Sequence, residues 1–230
     1  MNTKIPTPSL TRLCLIYQAC EDLYLKGQAT VSSIELARIL DSSSANVRKD
    51  INYLGEIGNS RAGYEVMKLK NFIAANLNLT QKRKTCIVGL GRLGSAILAY
   101  EGRLSAGGYR VVAGFDASIN RLETIRATVP LYPDYEMTDV VRQEQIELAI
   151  VTVPGEAAQK VTDQLVEGGV KGIINFTPVV VKSQKAGVRV RNIDVVNELR
   201  VLTSMMTTEQ GDEKMKCATE TQRHREEKNR

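Results

Sequence analysis

Thr85-Cys86-Ile87-Val88-Gly89-Leu90-Gly91-Arg92-Leu93-Gly94 is the stretch whose reading decides the fold. Its first four residues read as a buried strand, and three glycines follow at G-x-G-x-x-G spacing. Glycine turns are common, so the spacing alone is weak evidence. Its weight comes from the strand directly before it and the helical segment, to about Tyr100, directly after it. In that setting each glycine has a task. Gly89 permits the tight turn, Gly91 lets the backbone approach a pyrophosphate, and Gly94 lets the new helix pack close to the strand. The helix N-terminus offers free N–H groups and partial positive charge to the anion. Leu90, Arg92 and Leu93 ride on the same turn and join the glycines as cofactor-binding candidates.

Working outward, a second strand, Arg110 to Phe115, ends at Asp116, 22 residues past Gly94. A carboxylate there accepts hydrogen bonds from ribose hydroxyls and repels a 2′-phosphate, favouring NAD(H) over NADP(H); Arg121, close in sequence, weakens that preference. A CoA- or mononucleotide-binding protein would use the same turn. Strands at Leu148 to Val153 and Gly172 to Phe176 flank a helix at Glu156 to Glu167, and the alternation predicts a parallel sheet covered by helices. Ligands of such sheets lie beyond the carboxyl ends of the strands. Thr152, Val153, Pro154, Asn175 and Phe176 are therefore candidates for the nicotinamide side. Asp194 to Met206 reads as another helix, with Val195, Leu199, Leu202 and Met206 on one side. The polar tail 209–230 lacks apolar periodicity and reads as disordered.

Upstream of Gln81 the texture is helical. Leu13, Ile16, Tyr17, Cys20, Leu23 and Tyr24 recur at three- and four-residue spacing, and Gly27 ends that helix. Ser32-Ser33-Ile34-Glu35 has the form of a capping box, in which Glu35 reaches back to the cap. Asp41-Ser42-Ser43-Ser44 is a turn, and a third helix runs from near Ser44 to about Gly55. Tyr64-Glu65-Val66 reads as a short strand. The second and third helices have helix-turn-helix proportions, in which the second member enters the major groove. Its outer face offers Ser44, Asn46, Arg48, Lys49 and Tyr53, with Arg61 on the following tip; arginine and lysine suit guanine edges or phosphates, and asparagine suits adenine.

Charge agrees with that placement. The net charge is +5 over 230 residues, and residues 1–84 hold 12 Lys/Arg against 7 Asp/Glu, so the whole excess lies in the first third. A local positive field attracts polyanions. Composition excludes other classes. No apolar run approaches the ~18 residues of a membrane helix. Met1 to Leu10 shows no signal pattern, so a cytoplasmic location is expected. One histidine, His224, and four cysteines without a C-x-x-C pair leave no zinc motif, so no metal is expected. A nicotinamide dehydrogenase needs a proton donor or acceptor beside the hydride path. The single histidine lies in the tail; Tyr64-x-x-x-Lys68 has the spacing of a short-chain dehydrogenase pair but precedes the glycine turn, which that pair follows; and Lys160, Lys171, Lys182 and Lys185 have no evident partner. The balance favours a sensor over an enzyme. The alternatives are a small NAD-dependent oxidoreductase and a nucleotide-binding regulatory module that no longer reads DNA.

Longer motifs sharpen this. Val31-Ser32-Ser33, Asn46-Val47-Arg48-Lys49-Asp50-Ile51-Asn52-Tyr53-Leu54-Gly55-Glu56-Ile57-Gly58 and Gly63-Tyr64 occur in the first part. Ala113-Gly114-Phe115-Asp116, Thr152-Val153-Pro154, Lys171-Gly172-Ile173-Ile174-Asn175-Phe176-Thr177-Pro178, Asn192-Ile193-Asp194 and Glu198-Leu199 follow in the second. In this order they resemble the Rex family of redox-sensing bacterial transcriptional repressors, from Ile5-Pro6 to about Leu202. The resemblance implies an α/β chain: a winged helix-turn-helix domain at 1–80, a Rossmann NAD(H)-binding domain at 81–192 and a C-terminal swapped helix at 193–208. It further implies a homodimer that binds palindromic double-stranded operator DNA, with NAD+ permitting binding and NADH releasing it. It places Tyr100 near the nicotinamide, and Arg12 with the partner subunit's Asp194 in a polar relay. Family members usually carry lysines near Thr7 and Thr11 and basic residues directly after Gly58. Here those places hold threonines and Asn59-Ser60, and each lost phosphate contact lowers affinity and flattens its salt dependence.

Overall fold

The computed structural model describes residues 5–57 and 63–207. The sequence readings for Asn59, Ser60, Arg61 and the tail 209–230 lie outside them. The chain divides into two compact units, Met1–Lys82 and Arg83–Arg230.

The first unit is helical. Helix α1 (Thr7–Leu25) buries Leu13, Ile16, Cys20 and Leu23 on one face. Strand β1 (Thr30–Val31) leads into α2 (Ser33–Ile39) and α3 (Ser44–Tyr53). Both of these helices start on a serine. Ser32 Oγ accepts the Glu35 N–H at 3.0 Å, and Ser43 Oγ accepts the Asn46 N–H at 3.1 Å, each satisfying a donor that the helix cannot. The reciprocal half of the expected capping box is missing: the Glu35 carboxylate accepts instead from the Gln28 side-chain amide at 2.9 Å. Asp41, at φ 48°, makes the left-handed turn between α2 and α3, and the Ser42 N–H then reaches back to the Ala37 carbonyl. Strand β2 (Tyr64–Glu65) pairs antiparallel with β1, and Val66 opens α4 (Val66–Asn76) rather than extending the strand. Leu13, Ile16, Leu36, Val47, Ile51, Leu69 and Ile73 form one core, and α4 closes it.

The second unit is a six-stranded sheet in the order β5-β4-β3-β6-β7-β8, every pairing parallel. Its strands are β3 (Arg83–Val88), β4 (Tyr109–Asp116), β5 (Leu131–Pro133), β6 (Leu148–Val151), β7 (Gly172–Asn175) and β8 (Arg189–Asn192). Counted from β3, this is the doubly wound order, which reverses direction between β3 and β6. Helices α5 (Arg92–Ala99), α6 (Glu101–Ala106) and α7 (Ile119–Thr124) lie in the first half, and α8 (Met137–Glu144) and α9 (Gly155–Gly168) in the second. Alternation along β3 explains both layers. Cys86 and Val88 join Phe115, Met137, Val151 and Leu165, while Ile87 joins Leu90, Leu98 and Val111. A parallel sheet needs apolar residues on both faces for this reason. The expected helix to about Tyr100 is α5, with α6 following directly after that residue, and the expected strands ending at Val153 and Phe176 stop earlier, at Val151 and Asn175. A last helix, α10, spans 195–207. The Asp194 carboxylate accepts the Val196 N–H at its start, and Val195, Val196, Leu199, Leu202 and Met206 are exposed.

The amino ends of the sheet are fastened by Glu147. Its carboxylate accepts from Arg83 at 2.6 Å and Lys171 at 3.4 Å, tying the entries to β3, β6 and β7. Burial works against its ionisation, but the Arg83 and Lys171 contacts outweigh burial and hold the carboxyl below its ordinary value. A lowered folded-state pKa gives stability that is present above the unfolded value and is lost as pH falls through the folded one. Glu147→Gln is expected to cost about 1 kcal/mol at neutral pH. The gap between mutant and wild type should close below pH ~4, near the ordinary carboxyl value. Thermal melts of both proteins across that range check it.

Candidate nucleotide cleft and nucleic-acid interface

The glycine turn lies where the sheet reverses. Gly89 follows β3 at φ 87°, and a Cβ on it would meet Thr152 backbone and Val153 at 2.8–2.9 Å. Gly94 is tighter still: a Cβ there would stand 1.9 Å from the Gly89 carbonyl oxygen and 2.8 Å from Thr152 Oγ1. That hydroxyl donates to the same carbonyl at 2.6 Å and bonds the Val88 carbonyl at 3.1 Å. Gly91 is the opposite case. A Cβ on it would meet nothing within 4 Å, because the residue fronts open space at the N-terminus of α5. The close packing belongs to Gly89 and Gly94 and the open approach to Gly91, which fits a pyrophosphate laid against the helix start.

The open space belongs to a cleft of about 530 Å³, within the ~300–1,000 Å³ range of small-molecule sites. Of the sequence candidates, Gly89, Gly91, Asp116, Thr152, Val153 and Pro154 line it. Ala117, Ser118, Asp134, Ala157 and Val161 line it as well and were not singled out from sequence; Arg121, noted only as a modifier of Asp116, is also in the wall.

Asp116 is 4% exposed and fully engaged. One oxygen accepts the Leu90 N–H at 2.6 Å and the other the Ser118 N–H at 2.8 Å, while Arg121 Nη1 sits 2.9 Å from both. The carboxylate thus ties the glycine turn to the loop after β4. In this geometry it is not the free ribose acceptor expected from sequence.

Other candidates are placed differently. Leu90 is buried in the sheet core, so only its backbone faces the turn, and Arg92 and Leu93 are exposed on α5. Tyr100 is 65% exposed at the junction of α5 and α6 and does not line the cleft. Asn175 does not line the cleft. It is fully buried; its amide nitrogen donates to the Val179 carbonyl and to Asn192 Oδ1, both at 2.8 Å, and its oxygen accepts the Thr177 N–H. Its polar atoms serve the loop after β7, leaving little for a nicotinamide. Phe176 packs on the Ile87–Leu98 core.

On the first unit, α3 turns Val47, Asp50 and Ile51 inward. Its outer side gathers Ala45, Arg48, Lys49, Asn52 and Tyr53 around one open concavity. Three of the expected nucleic-acid contacts, Arg48, Lys49 and Tyr53, are thereby brought together. Ala45 and Asn52 join them, while Ser44 and Asn46 do not. The helical phase of the buried positions was the signal that would have selected Asn52. Arg48 Nη1 donates to Ser33 Oγ at 3.1 Å, tying α3 to the start of α2.

Asp50 has no exposure at all, and Arg12 grips it from α1 through Nε at 2.5 Å and Nη2 at 3.0 Å. The carboxylate beside it raises the Arg12 pKa. Arg12 therefore has an acceptor within its own unit, and Asp194 serves as the cap of α10.

Among the described residues, no three His, Cys, Asp or Glu side chains gather as a metal site, and no helix is long and apolar enough to cross a membrane. Cys14, Cys20 and Cys86 are not disulfide-bonded. Burial pushes the thiols of Cys20 and Cys86 up to about 12, so neither is a thiolate at neutral pH.

Two outcomes follow from this geometry. Arg12→Leu leaves the Asp50 charge buried and unpaired, and is expected to cost roughly 3 kcal/mol, whereas Arg12→Leu with Asp50→Leu recovers most of it; chemical denaturation of the three proteins measures the cycle. Gly94→Ala forces α5 away from the Gly89 carbonyl, and nucleotide binding should fall at least about tenfold, because a misplaced helix start is a lost anion site. Calorimetric titration with NADH reads it.

Comparison with known proteins agrees with both halves. A family model described as "CoA binding domain" matches residues 80–179, and one described as "Putative DNA-binding protein N-terminus" matches residues 4–52. The chain is 40% identical over 201 residues to the redox-sensing transcriptional repressor Rex of Limosilactobacillus fermentum, covering 87% of this chain and 92% of that protein. It also superposes on crystal structures of RSP, a Rex-family repressor. With RSP in complex with beta-NADH, the TM-score is 0.80 at 26% identity, over 93% of this chain and all of that one. With RSP in complex with beta-NAD+ and operator DNA, it is 0.81 at 27% identity, over 94% and 98%. An all-parallel doubly wound sheet with a glycine turn at its switch point, a serine-capped helix pair before it and relatives matched almost end to end place this chain in the Rex family of redox-sensing transcriptional repressors.

Proposed function

We propose that this chain binds operator DNA as a homodimer and releases it when NADH occupies the cleft at the sheet reversal, so that repression follows the NADH/NAD+ ratio. The observation that carries the reading is the union in one chain of a nucleotide cleft at Gly89–Gly94 with an outward patch of Arg48, Lys49, Asn52 and Tyr53 on a helix-turn-helix. The RSP complexes with beta-NADH, and with beta-NAD+ and operator DNA, support carrying both ligands over to this chain. The exposed apolar side chains of α10 support the homodimer, since a helix of that character gains by being covered. The chain acts as a sensor in the cytoplasm and turns over no substrate.

The residues proposed to hold the nucleotide are Gly89, Gly91, Thr152, Val153 and Pro154 with the N–H groups that start α5. Asp116 positions the turn through Leu90. The coenzyme supplies the redox signal, and the protein's part is to bind its two oxidation states unequally. The physics is linkage: NADH and DNA favour different dimer geometries, so each weakens the other by the same factor. A ligand with equal affinity for both geometries would shift nothing.

Fluorescence anisotropy with a labelled palindromic operator tests it. Operator affinity should fall at least about tenfold with saturating NADH, and change far less with NAD+ or CoA. Arg48→Ala should weaken the operator by about 1–3 kcal/mol and leave NADH affinity unchanged. Equal operator affinity with and without bound NADH would overturn the reading.

A further inference from the structure

The two acidic side chains in the cleft wall are not equivalent. Asp116 has lost its power to discriminate by charge. Two backbone N–H groups and the Arg121 guanidinium occupy its oxygens, and it is 4% exposed. Asp134 is in the opposite condition. Strand β5 pairs with β4 so that Pro133 stands opposite Asp116, and Asp134 is the next residue, the first of the single 3-10 turn Asp134–Glu136. It therefore emerges at the carboxyl end of the sheet beside Asp116, in the wall of the same cleft. It is half-buried, and its carboxylate makes no hydrogen bond or ion pair among the described residues. Asp116, Arg121 and Asp134 are the charged groups of that wall among the described residues, and the first two cancel.

We infer that Asp134 is the specificity-determining carboxylate of the nucleotide cleft, selecting a dinucleotide with a free 2′-hydroxyl over its 2′-phosphorylated counterpart. The inference rests on the dinucleotide reading above. A ribose diol brings two O–H donors to an acceptor that has no other partner. A 2′-phosphate brings about −1.5 to −2 charges at neutral pH and acceptor oxygens only. It meets an uncompensated carboxylate, and the one cation nearby is already committed to Asp116. Rejection of the wrong ligand by an unpaired like charge is an established route to specificity. Arg121 has the opposite effect. By neutralising Asp116 it makes the cleft less hostile to phosphate than two bare carboxylates would be.

Calorimetric or fluorescence titration of the full chain with NADH and with NADPH tests this. Wild type is expected to prefer NADH. Asp134→Asn keeps the shape and removes the charge; NADH should weaken with the loss of the charged acceptor, the NADPH/NADH affinity ratio should rise at least about tenfold, and that rise should shrink in high salt. Arg121→Ala uncovers the Asp116 charge and should weaken NADPH further, so the two variants move the NADPH/NADH ratio in opposite directions. Asp134 has no bonded partner to lose, and an unchanged melting temperature in Asp134→Asn establishes that its fold is intact. An unchanged ratio in Asp134→Asn with NADH binding still measurable overturns the inference alone. A wild-type chain that binds neither dinucleotide overturns the dinucleotide reading and this inference with it.

Discussion

The second unit depends on a missing methyl group. Gly94 packs so close to the Gly89 carbonyl that any side chain would collide with it, and Thr152 closes the same gap from the neighbouring strand. This one contact joins the end of β3, the start of α5 and the end of β6. It sets the helix axis at the point where the sheet order reverses, so the free N–H groups of α5 face the cleft. Interior packing tolerates little change in volume, so a constraint of this kind acts as a fixed dimension of the fold. Asp116 then extends the arrangement by one strand, gripping the Leu90 N–H on one side and the Ser118 N–H on the other. Turn, switch point and acid thus form one connected unit, and the cleft is the space they leave.

The first unit is organised around a different kind of contact. Its core is apolar, but Asp50 is buried within it and, among the described residues, is satisfied by Arg12 alone. A paired buried charge adds little net stability, whereas an unpaired one is costly. Such a pair is therefore better understood as fixing a geometry than as strengthening a core. Here the geometry is that of α1 against α3, the helix with the basic outer patch. A two-point ionic grip ties α1 to α3.

Most of the architecture was legible because it is local. The strand before Gly89, the spacing of the glycines, Asp116 at a strand end and the serine cap of α2 are all short-range patterns. What escaped is what pairing creates. Asp134 reaches the cleft only because β5 adds to the edge of β4, and no spacing in the sequence announces that register. Asn175 looked available because its partner, Asn192, arrives on a strand 17 residues later. Asp116 looked like a free acceptor because hydrogen bonds from backbone N–H groups leave no trace in composition. On α3 the buried phase sets Arg48, Lys49 and Tyr53 around one concavity with Ala45 and Asn52, while Asn46 is exposed outside it.

The bond from Arg48 to Ser33 has its own consequence. A guanidinium carries five N–H donors, and among the described residues this hydroxyl takes one of them, so four keep their donor capacity. The bond favours one placement of an exposed side chain, so part of the rotamer freedom of a long cation is given up in advance. The start of α2 thereby sets where the cation of α3 stands.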